Sequence, residues 1–329
     1  MAQPGLERRP SKAAGLAGES RRSRVRIPAG PPLILKRKAD YMPDKMINLD
    51  RIVKVATPLK TLGIDFTRRV EQSDPQFAAV ARIGDMLGLA ASCVVSVFNS
   101  VVCYRLTGRG EEYWLELMTD VEKHSDEYRS PDSILRALTR FLRESKHNRF
   151  LIEQKLGRLF KLASRNVHKI IYEKAEYFAN NLELLRRLVA AGLGTRPDSK
   201  TVVFSVKMFY YAYTACTGMK LLIPETIPLP ADRRIAALAY TSGIVTISAE
   251  TGNLIESLLR RPKLITDAWS RVASHASIPP LHLDAPLWAV GRHLRQGEGA
   301  AYRALLNMAG EVDHASLREF IKQVFIRKI

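Results

Sequence analysis

The sequence has few cysteines for its length. Its 329 residues contain only Cys93, Cys103 and Cys216, with no CxxC pair and no nearby histidine at metal-ligand spacing. This pattern predicts neither a disulfide framework nor a zinc or iron–sulfur module. A reducing compartment is the default for such a chain, and we expect it to be cytoplasmic.

Long apolar runs are also scarce. The N-terminus is basic and lacks the continuous apolar segment of a secretory signal. Residues 86–104 are almost uncharged and nearly reach the roughly 20 residues that span a bilayer. They contain Ser92, Ser96, Asn99 and Ser100, however, so we expect a buried helix of an α domain and no membrane span.

Acidic residues are in the minority. The chain has 51 Lys+Arg against 33 Asp+Glu, a net charge of +18, and 46% hydrophobic residues. That hydrophobic share is enough for a core and excludes disorder over the full length. The excess positive charge favours a polyanionic partner, and charge alone does not separate nucleic acid from an anionic membrane.

Residues 1–45 differ in composition from the rest. They hold eleven Lys/Arg, four Asp/Glu and six prolines, which predicts a disordered basic arm ahead of a folded domain over 46–329. The arm could bind phosphates without sequence preference. A start codon at Met42 or Met46, or a targeting role, is the interpretation that we favour.

From Met46 onward the pattern predicts an all-α fold. Asp74-Pro75 and Ser130-Pro131 are helix starts, with a capping residue before a proline suited to the first turn. Residues 201–206 and 244–247 are rich in β-formers, but no run alternates between hairpin turns. Residues 136–174 carry eleven Lys/Arg against three Glu at helical steps, which indicates either a solvated face or phosphate contacts.

A helical hairpin is predicted at about 184–207. One helix ends at Gly192, a Gly-Leu-Gly turn follows, and Asp198 or Ser199 can cap a second helix with Lys200 in its first turn. The positive end of the helix dipole disfavours an ammonium there, and an amine nucleophile has to be neutral. From Lys200 alone, a surface lysine after a loop is the simpler interpretation.

Two further segments bring polar groups to helix starts. A proline-stiffened stretch, 223–235, delivers Asp232 just before a helix, either as an N-cap or as an acid/base partner. Residues 278–288 place Asp284 and Trp288 four apart on one helix face. Core packing would explain Trp288, and we expect His282 to be a satisfied buried imidazole with no catalytic role.

Five runs follow one another along the chain: Asp74-Pro-Gln76, Tyr104-Arg-Leu-Thr-Gly-Arg-Gly-Glu-Glu-Tyr-Trp114, Lys200-Thr-Val-Val-Phe-Ser-Val-Lys207, Ile227-Pro-Leu-Pro-Ala-Asp232 and Ile278-Pro-Pro-Leu-His-Leu-Asp284 with Leu287-Trp-Ala-Val-Gly-Arg292. Together they resemble the archaeal 8-oxoguanine DNA glycosylases, a branch of the helix-hairpin-helix DNA glycosylase superfamily. The resemblance covers roughly Met46 to Arg292, in the same order along the chain. Five residues separate Gly194 from Lys200, a spacing that this branch shares.

The resemblance implies a fold of two helical subdomains with the active site in the cleft between them. Lys200 and Asp232 correspond to the catalytic lysine and aspartate. The remaining site residues implied are Trp114 and Trp288 on the faces of the flipped purine, Gln76, Lys207 and Asp284 at its polar edge, and Phe204 in the pocket wall. Ala231 and Arg233-Arg234 differ from the expected neighbours of the aspartate, so no DNA contacts are carried over there.

The implied activity is base-excision repair. Lys200 would release 8-oxoguanine through a Schiff base and cleave the strand by β-elimination, without metal or cofactor. The expected partner is double-stranded DNA, with single-stranded DNA left open, bound by a monomer at the nucleoid. The alternatives are a glycosylase of different lesion specificity, a noncatalytic basic helical nucleic-acid binder, and a basic membrane-associated protein.

Overall fold

The computed structural model describes residues 46–247 and 253–328, and within these ranges the chain is helical. The predicted arm, residues 1–45, lies outside the described residues. The β-rich stretch 201–206 is helical, and at 244–247 extended pairing in the described ranges is limited to one isolated antiparallel bridge, Ile47 with Val245. The all-α prediction is therefore confirmed.

Two hydrophobic clusters form the core. The first is built by nine helices from the middle of the chain. They are α2 (Pro75–Leu87), α3 (Leu89–Ser100), α4 (Gly110–Lys123), α5 (Pro131–Glu144), α6 (Ile152–Ala163), α7 (Val167–Glu173), α8 (Ala175–Ala179), α9 (Leu182–Leu193) and α10 (Lys200–Thr217), with a 3-10 turn at Ser125–Tyr128 between α4 and α5. At the centre of this cluster, helix α10 packs against α2 and α3.

The second cluster joins the start and the end of the described chain. Its helices are α1 (Leu49–Gln72), α11 (Arg233–Thr241), α12 (Leu254–Leu259), α13 (Pro262–Ala276), α14 (Asp284–Gly291), α15 (Glu298–Ala309) and α16 (His314–Val324), with a 3-10 turn at Pro280–Leu283 before α14. Helix α1 bends at Gly63 and packs against α13 and α16. The chain thus crosses from α1 into the first cluster and returns through residues 218–232.

The helix starts behave as the sequence predicts. Asp74 caps α2 by accepting a hydrogen bond from the backbone N–H of Gln76, and Pro75 occupies the first turn. Ser130 caps α5 in the same way, with Pro131 following it. Such caps satisfy backbone donors that a helix otherwise leaves without partners.

The weakly polar segment 86–104 is buried, as predicted, although it is not one helix. Helix α2 ends at Leu87, Gly88 adopts φ 78°, and α3 begins at Leu89 because only glycine takes that backbone conformation at low cost. Some of its polar groups find partners inside the core: Tyr113 donates to Asn99 Oδ1 at 2.6 Å, and the Ser100 hydroxyl donates to the Ser96 carbonyl at 2.6 Å. Among the described residues, the buried hydroxyls of Ser92 and Ser96 have no hydrogen-bond partner. No helix in the described ranges combines the length and the apolar character needed to cross a bilayer.

Candidate active site

The hairpin between α9 and α10 presents Lys200. Helix α9 runs one residue further than predicted, to Leu193, because Gly194 ends it in the left-handed conformation at φ 64°. Lys200 is the first residue of α10 and is exposed, so its predicted place in the first turn is confirmed. The predicted side-chain cap is wrong: Asp198 accepts from Arg186 at 2.8 Å, and the Ser199 hydroxyl lies 2.8 Å from that of Thr195.

An arginine from α6 fixes the start of α10. Arg158 Nη2 donates to Thr201 Oγ1 at 2.7 Å, and its Nε donates to the Val101 carbonyl at 2.9 Å. The guanidinium also lies 5.5 Å from the ring centroid of Tyr104. This contact ties three segments together one residue from Lys200 and places a fixed positive charge beside it.

Two turns further along α10, Lys207 is buried in an ionic cluster. Its Nζ lies 2.5 Å from Asp284 Oδ2 and 3.5 Å from Asp74 Oδ2. Tyr211, four residues on, donates its hydroxyl to Asp74 at 3.1 Å and sets its ring 5.0 Å from the Lys207 ammonium. Although burial alone would lower the pKa of Lys207, the nearby carboxylates raise it, so the amine is held as a cation.

Asp284 experiences opposing influences. Burial raises the pKa of its carboxyl, the Lys207 ammonium opposes this, and the negative charges of Asp232 and Asp74 add to the rise. The carboxylates therefore lie close enough to interact electrostatically. A buried carboxyl whose pKa is shifted by burial and by specific charged neighbours is typical of a functional site.

A second buried pair lies behind this cluster. His282 Nδ1 is 2.9 Å from Glu71 Oε1, and Tyr210 donates to Glu71 Oε2 at 2.9 Å. His282 is fully buried, as expected, but among the described residues its Nε2 has no hydrogen-bond partner. Together the two pairs connect α1, α10 and the turn before α14, and they fix where Asp284 emerges.

Asp232 stands at the entrance to α11. Its Oδ1 accepts from the backbone N–H of Ile235 at 2.9 Å, so the N-cap interpretation of the sequence is confirmed. A single carboxylate has room for more than one donor, since each oxygen accepts separately. In the described ranges no side chain or backbone group donates to its Oδ2.

Trp114, Phe204 and Gln76 form the part of the candidate site that the first cluster contributes. Trp114 is fully buried on α4, and its ring packs edge-on against Phe204 of α10 at a centroid distance of 6.5 Å. Gln76 is 8% exposed, and its Nε2 would lie 3.3 Å from a Cβ at Gly110. Glycine at 110 therefore leaves the space that the Gln76 amide needs. Stacking of a base on Trp114 requires the side chains around it to move.

Trp288 lies on α14, among the helices of the second cluster, and is partly exposed. The guanidinium groups of Arg234 and Arg292 lie 5.0 and 4.9 Å from its ring centroid. Arg292 also forms an ion pair with the buried carboxylate of Glu111 on α4, at 3.1 Å. This pair connects the two clusters beside both tryptophans.

A thiol and an amine that the sequence did not single out lie behind Lys200. Burial raises the pKa of Cys103 to about 11, against the opposing influence of Lys200, Lys155 and the Trp114 indole. Lys155 is fully buried, donates to Asn148 Oδ1, and burial lowers its pKa to about 8. Only folding places these groups together, since Cys103 lies in the loop between α3 and α4, whereas Lys155 lies on α6 and Lys200 on α10.

The structure thus joins the residues chosen from the sequence in two groups. Lys207 and Asp284 are in contact, as are Trp114 and Phe204, whereas Asp232 and Trp288 lie on adjoining helices of the second cluster. The sequence missed Asp74 and Tyr211 as partners of Lys207. From the sequence, Asp74 was explained by capping alone. The four-residue step from Lys207 to Tyr211 was the signal that could have identified Tyr211.

The chain is similar to known N-glycosylase/DNA lyases. A family model described as "AGOG: N-glycosylase/DNA lyase" matches residues 56–319. The N-glycosylase/DNA lyase of Pyrobaculum aerophilum is 30% identical over 250 residues, which make up 75% of this chain and 89% of that protein. The N-glycosylase/DNA lyase of Thermococcus kodakarensis is 34% identical over 245 residues, 74% of this chain and 85% of that one.

A solved structure shares the fold. The crystal structure of Pa-AGOG, an 8-oxoguanine DNA glycosylase from Pyrobaculum aerophilum, in complex with 8-oxoguanosine, matches with a TM-score of 0.68 at 27% identity. The match covers 84% of this chain and 97% of that one. The predicted helical glycosylase fold is therefore confirmed, and the chain belongs to the AGOG family of N-glycosylase/DNA lyases.

Proposed function

We propose that this protein removes 8-oxoguanine from DNA and then cleaves the strand, with Lys200 as the nucleophile. The carrying observation is the placement of Lys200, which is exposed in the first turn of α10, while the same helix holds Lys207 against Asp284 two turns further on. The family supports the reaction class, and the ligand named for the related crystal structure supports the lesion.

The first step exchanges the base for the amine. The neutral Lys200 Nζ attacks C1′ of the damaged nucleotide, the glycosidic bond breaks, and the base leaves with the electron pair of that bond and takes up a proton. The Oδ2 of Asp232 is open to stabilise the oxocarbenium charge and to accept the proton that the attacking amine loses.

The second step breaks the strand. The C1′–O4′ bond of the adduct opens and gives a Schiff base between Lys200 and the sugar. Loss of a proton from C2′ is then eased because the iminium accepts the electron pair, and the C3′–O bond breaks to release the 3′ phosphate. Water hydrolyses the remaining imine and regenerates the amine.

Recognition of the flipped base requires both clusters. Extrusion from the duplex costs a few kcal/mol, and stacking on an aromatic ring returns about 1–3 kcal/mol per base. Trp114 and Trp288 supply the faces, and Phe204 lines the wall. The Lys207–Asp284 pair and the Gln76 amide offer donors and acceptors to the polar edge. We propose double-stranded DNA as the substrate and a monomer as the active form.

Borohydride trapping on an 8-oxoguanine duplex tests the proposal. Wild-type protein should form a covalent adduct with the DNA, and Lys200→Gln should form none. Arg187→Gln, an exposed residue on α9, is the matched control and should trap like wild type. An adduct with Lys200→Gln would mean that another amine is the nucleophile. Release of a different damaged base in preference to 8-oxoguanine would instead favour the second candidate, a family member of other lesion specificity.

A further inference from the structure

A basic groove lies beside the candidate active site. It has a volume of about 1320 Å³ and is bounded by α11, by the turn that follows α14 and by the C-terminal residues 325–328. Six arginines and one lysine line it: Arg109, Arg233, Arg234, Arg292, Arg295, Arg327 and Lys328. Glu298 is the one acidic residue among those lining it.

Much of this charge is not neutralised within the protein. Three of the seven cations have carboxylate partners, since Arg109 pairs with Glu112, Arg233 with Glu256, and Arg292 with Glu111. The other four have no carboxylate partner among the described residues. They are Arg234, which lies on the Trp288 ring, Arg327, which lies on the Tyr240 ring, and the exposed Arg295 and Lys328.

The groove is continuous with the proposed site. Asp232 directly precedes Arg233, and Arg234 and Arg292 contact Trp288 from the groove. A strand whose nucleotide is stacked on Trp288 therefore has phosphates within reach of the groove. A row of arginines matches phosphate oxygens well, because each guanidinium presents several donors in a plane.

The C-terminal end of the chain completes this groove. The Arg327 backbone N–H donates to the Thr241 carbonyl at 3.0 Å, and its Nη1 donates to the Val245 carbonyl at 3.2 Å. These bonds hold residues 325–328 against α11. The family match ends at residue 319, so this wall of the groove lies beyond the region that the match covers.

We infer that this groove binds the sugar–phosphate backbone of the DNA strand next to the flipped nucleotide, and that Arg295 and Lys328 contribute phosphate contacts of their own. The inference rests on the proposed function for the placement of the strand. It assigns the groove a role in holding the substrate, separate from base recognition and from the chemistry at Lys200.

The test is the salt dependence of binding to an undamaged duplex. Each phosphate contact adds about 0.9 to the slope of log K against log salt, so Arg295→Gln/Lys328→Gln should lower the slope by about 1.8. Between 50 and 200 mM salt, wild type should then lose affinity about twelvefold more than the variant does. Lys60→Gln/Lys123→Gln, which removes two exposed lysines outside the groove, should leave the slope unchanged.

Two results would overturn the inference: the groove variant keeps the wild-type slope, or the control pair lowers the slope equally. Because the duplex is undamaged, the slopes report on the groove even if wild type releases no 8-oxoguanine, which would defeat the proposed function alone.

Discussion

Replacing Lys207 by methionine should destabilise the fold strongly. The substitution keeps the approximate length of the side chain and removes the charge that lies 2.5 Å from Asp284 and 3.5 Å from Asp74. All three residues are buried. Breaking a buried ion pair from one side costs about 3–5 kcal/mol, because the other charge stays behind without compensation. We expect a loss of that size in the free energy of unfolding at pH 7.

The pH dependence follows from the sign of the remaining shift. Without Lys207, burial and the neighbouring carboxylates hold the pKa of Asp284 above its usual value. A carboxyl whose pKa is raised by folding takes up a proton more readily in the folded state, so its cost disappears at low pH and grows as pH rises. The deficit of Lys207→Met should therefore be smallest near pH 4 and complete at pH 7.

A double-mutant cycle with Asp284→Asn separates the pair from its surroundings. Denaturant unfolding of wild type, both single variants and the double variant should give a double variant that is less destabilised than the sum of the singles, by about 2 kcal/mol. Lys60→Met, exposed on α1, is the control and should change stability by less than about 0.5 kcal/mol. A free energy of unfolding for Lys207→Met within about 1 kcal/mol of the wild-type value would refute the reasoning about this cluster, and so would a deficit that does not vary with pH.

Two further perturbations test buried groups on the helices of the first cluster. Folding lowers the pKa of Lys155 from 10.5 to about 8, so between pH 8 and 10.5 the amine is protonated in the unfolded chain and neutral in the folded one. The free energy of unfolding of the wild type should therefore rise by up to about 3 kcal/mol between pH 8 and 10.5. Lys155→Met lacks this gain, and parallel stability curves for the two proteins would disprove the lowered pKa. A Cβ at Gly84 would lie 2.6 Å from Cys216 Sγ, so Gly84→Ala should cost about 1–3 kcal/mol in denaturant unfolding. Adding Cys216→Ala should recover most of that loss, and an unchanged deficit would place the strain elsewhere.

The local patterns predicted the helices well where the signal was short-range. Asp74 and Ser130 cap the helices they were expected to start, because a cap depends on residues two or three positions away. The prediction was wrong for Ser199, whose hydroxyl faces Thr195 instead of its own helix. A side chain with two possible partners is decided by the backbone path of the loop, which the spacing of residues does not specify.

The same distinction between short-range signals and the tertiary fold applies to the site residues. The residues proposed to carry the chemistry were chosen by their order along the chain. The sequence by itself determined the fold class and placed Lys200 in the first turn of a helix. The tertiary structure alone decided that Lys207 is neutralised by two carboxylates, one of them 133 residues before it on α2's cap. It also decided that seven of the chain's 51 Lys and Arg residues line one groove beside Trp288, where α11 and residues 325–328 meet. Helical periodicity fixes which side chains share a face, whereas the faces that meet depend on how two separate hydrophobic clusters pack.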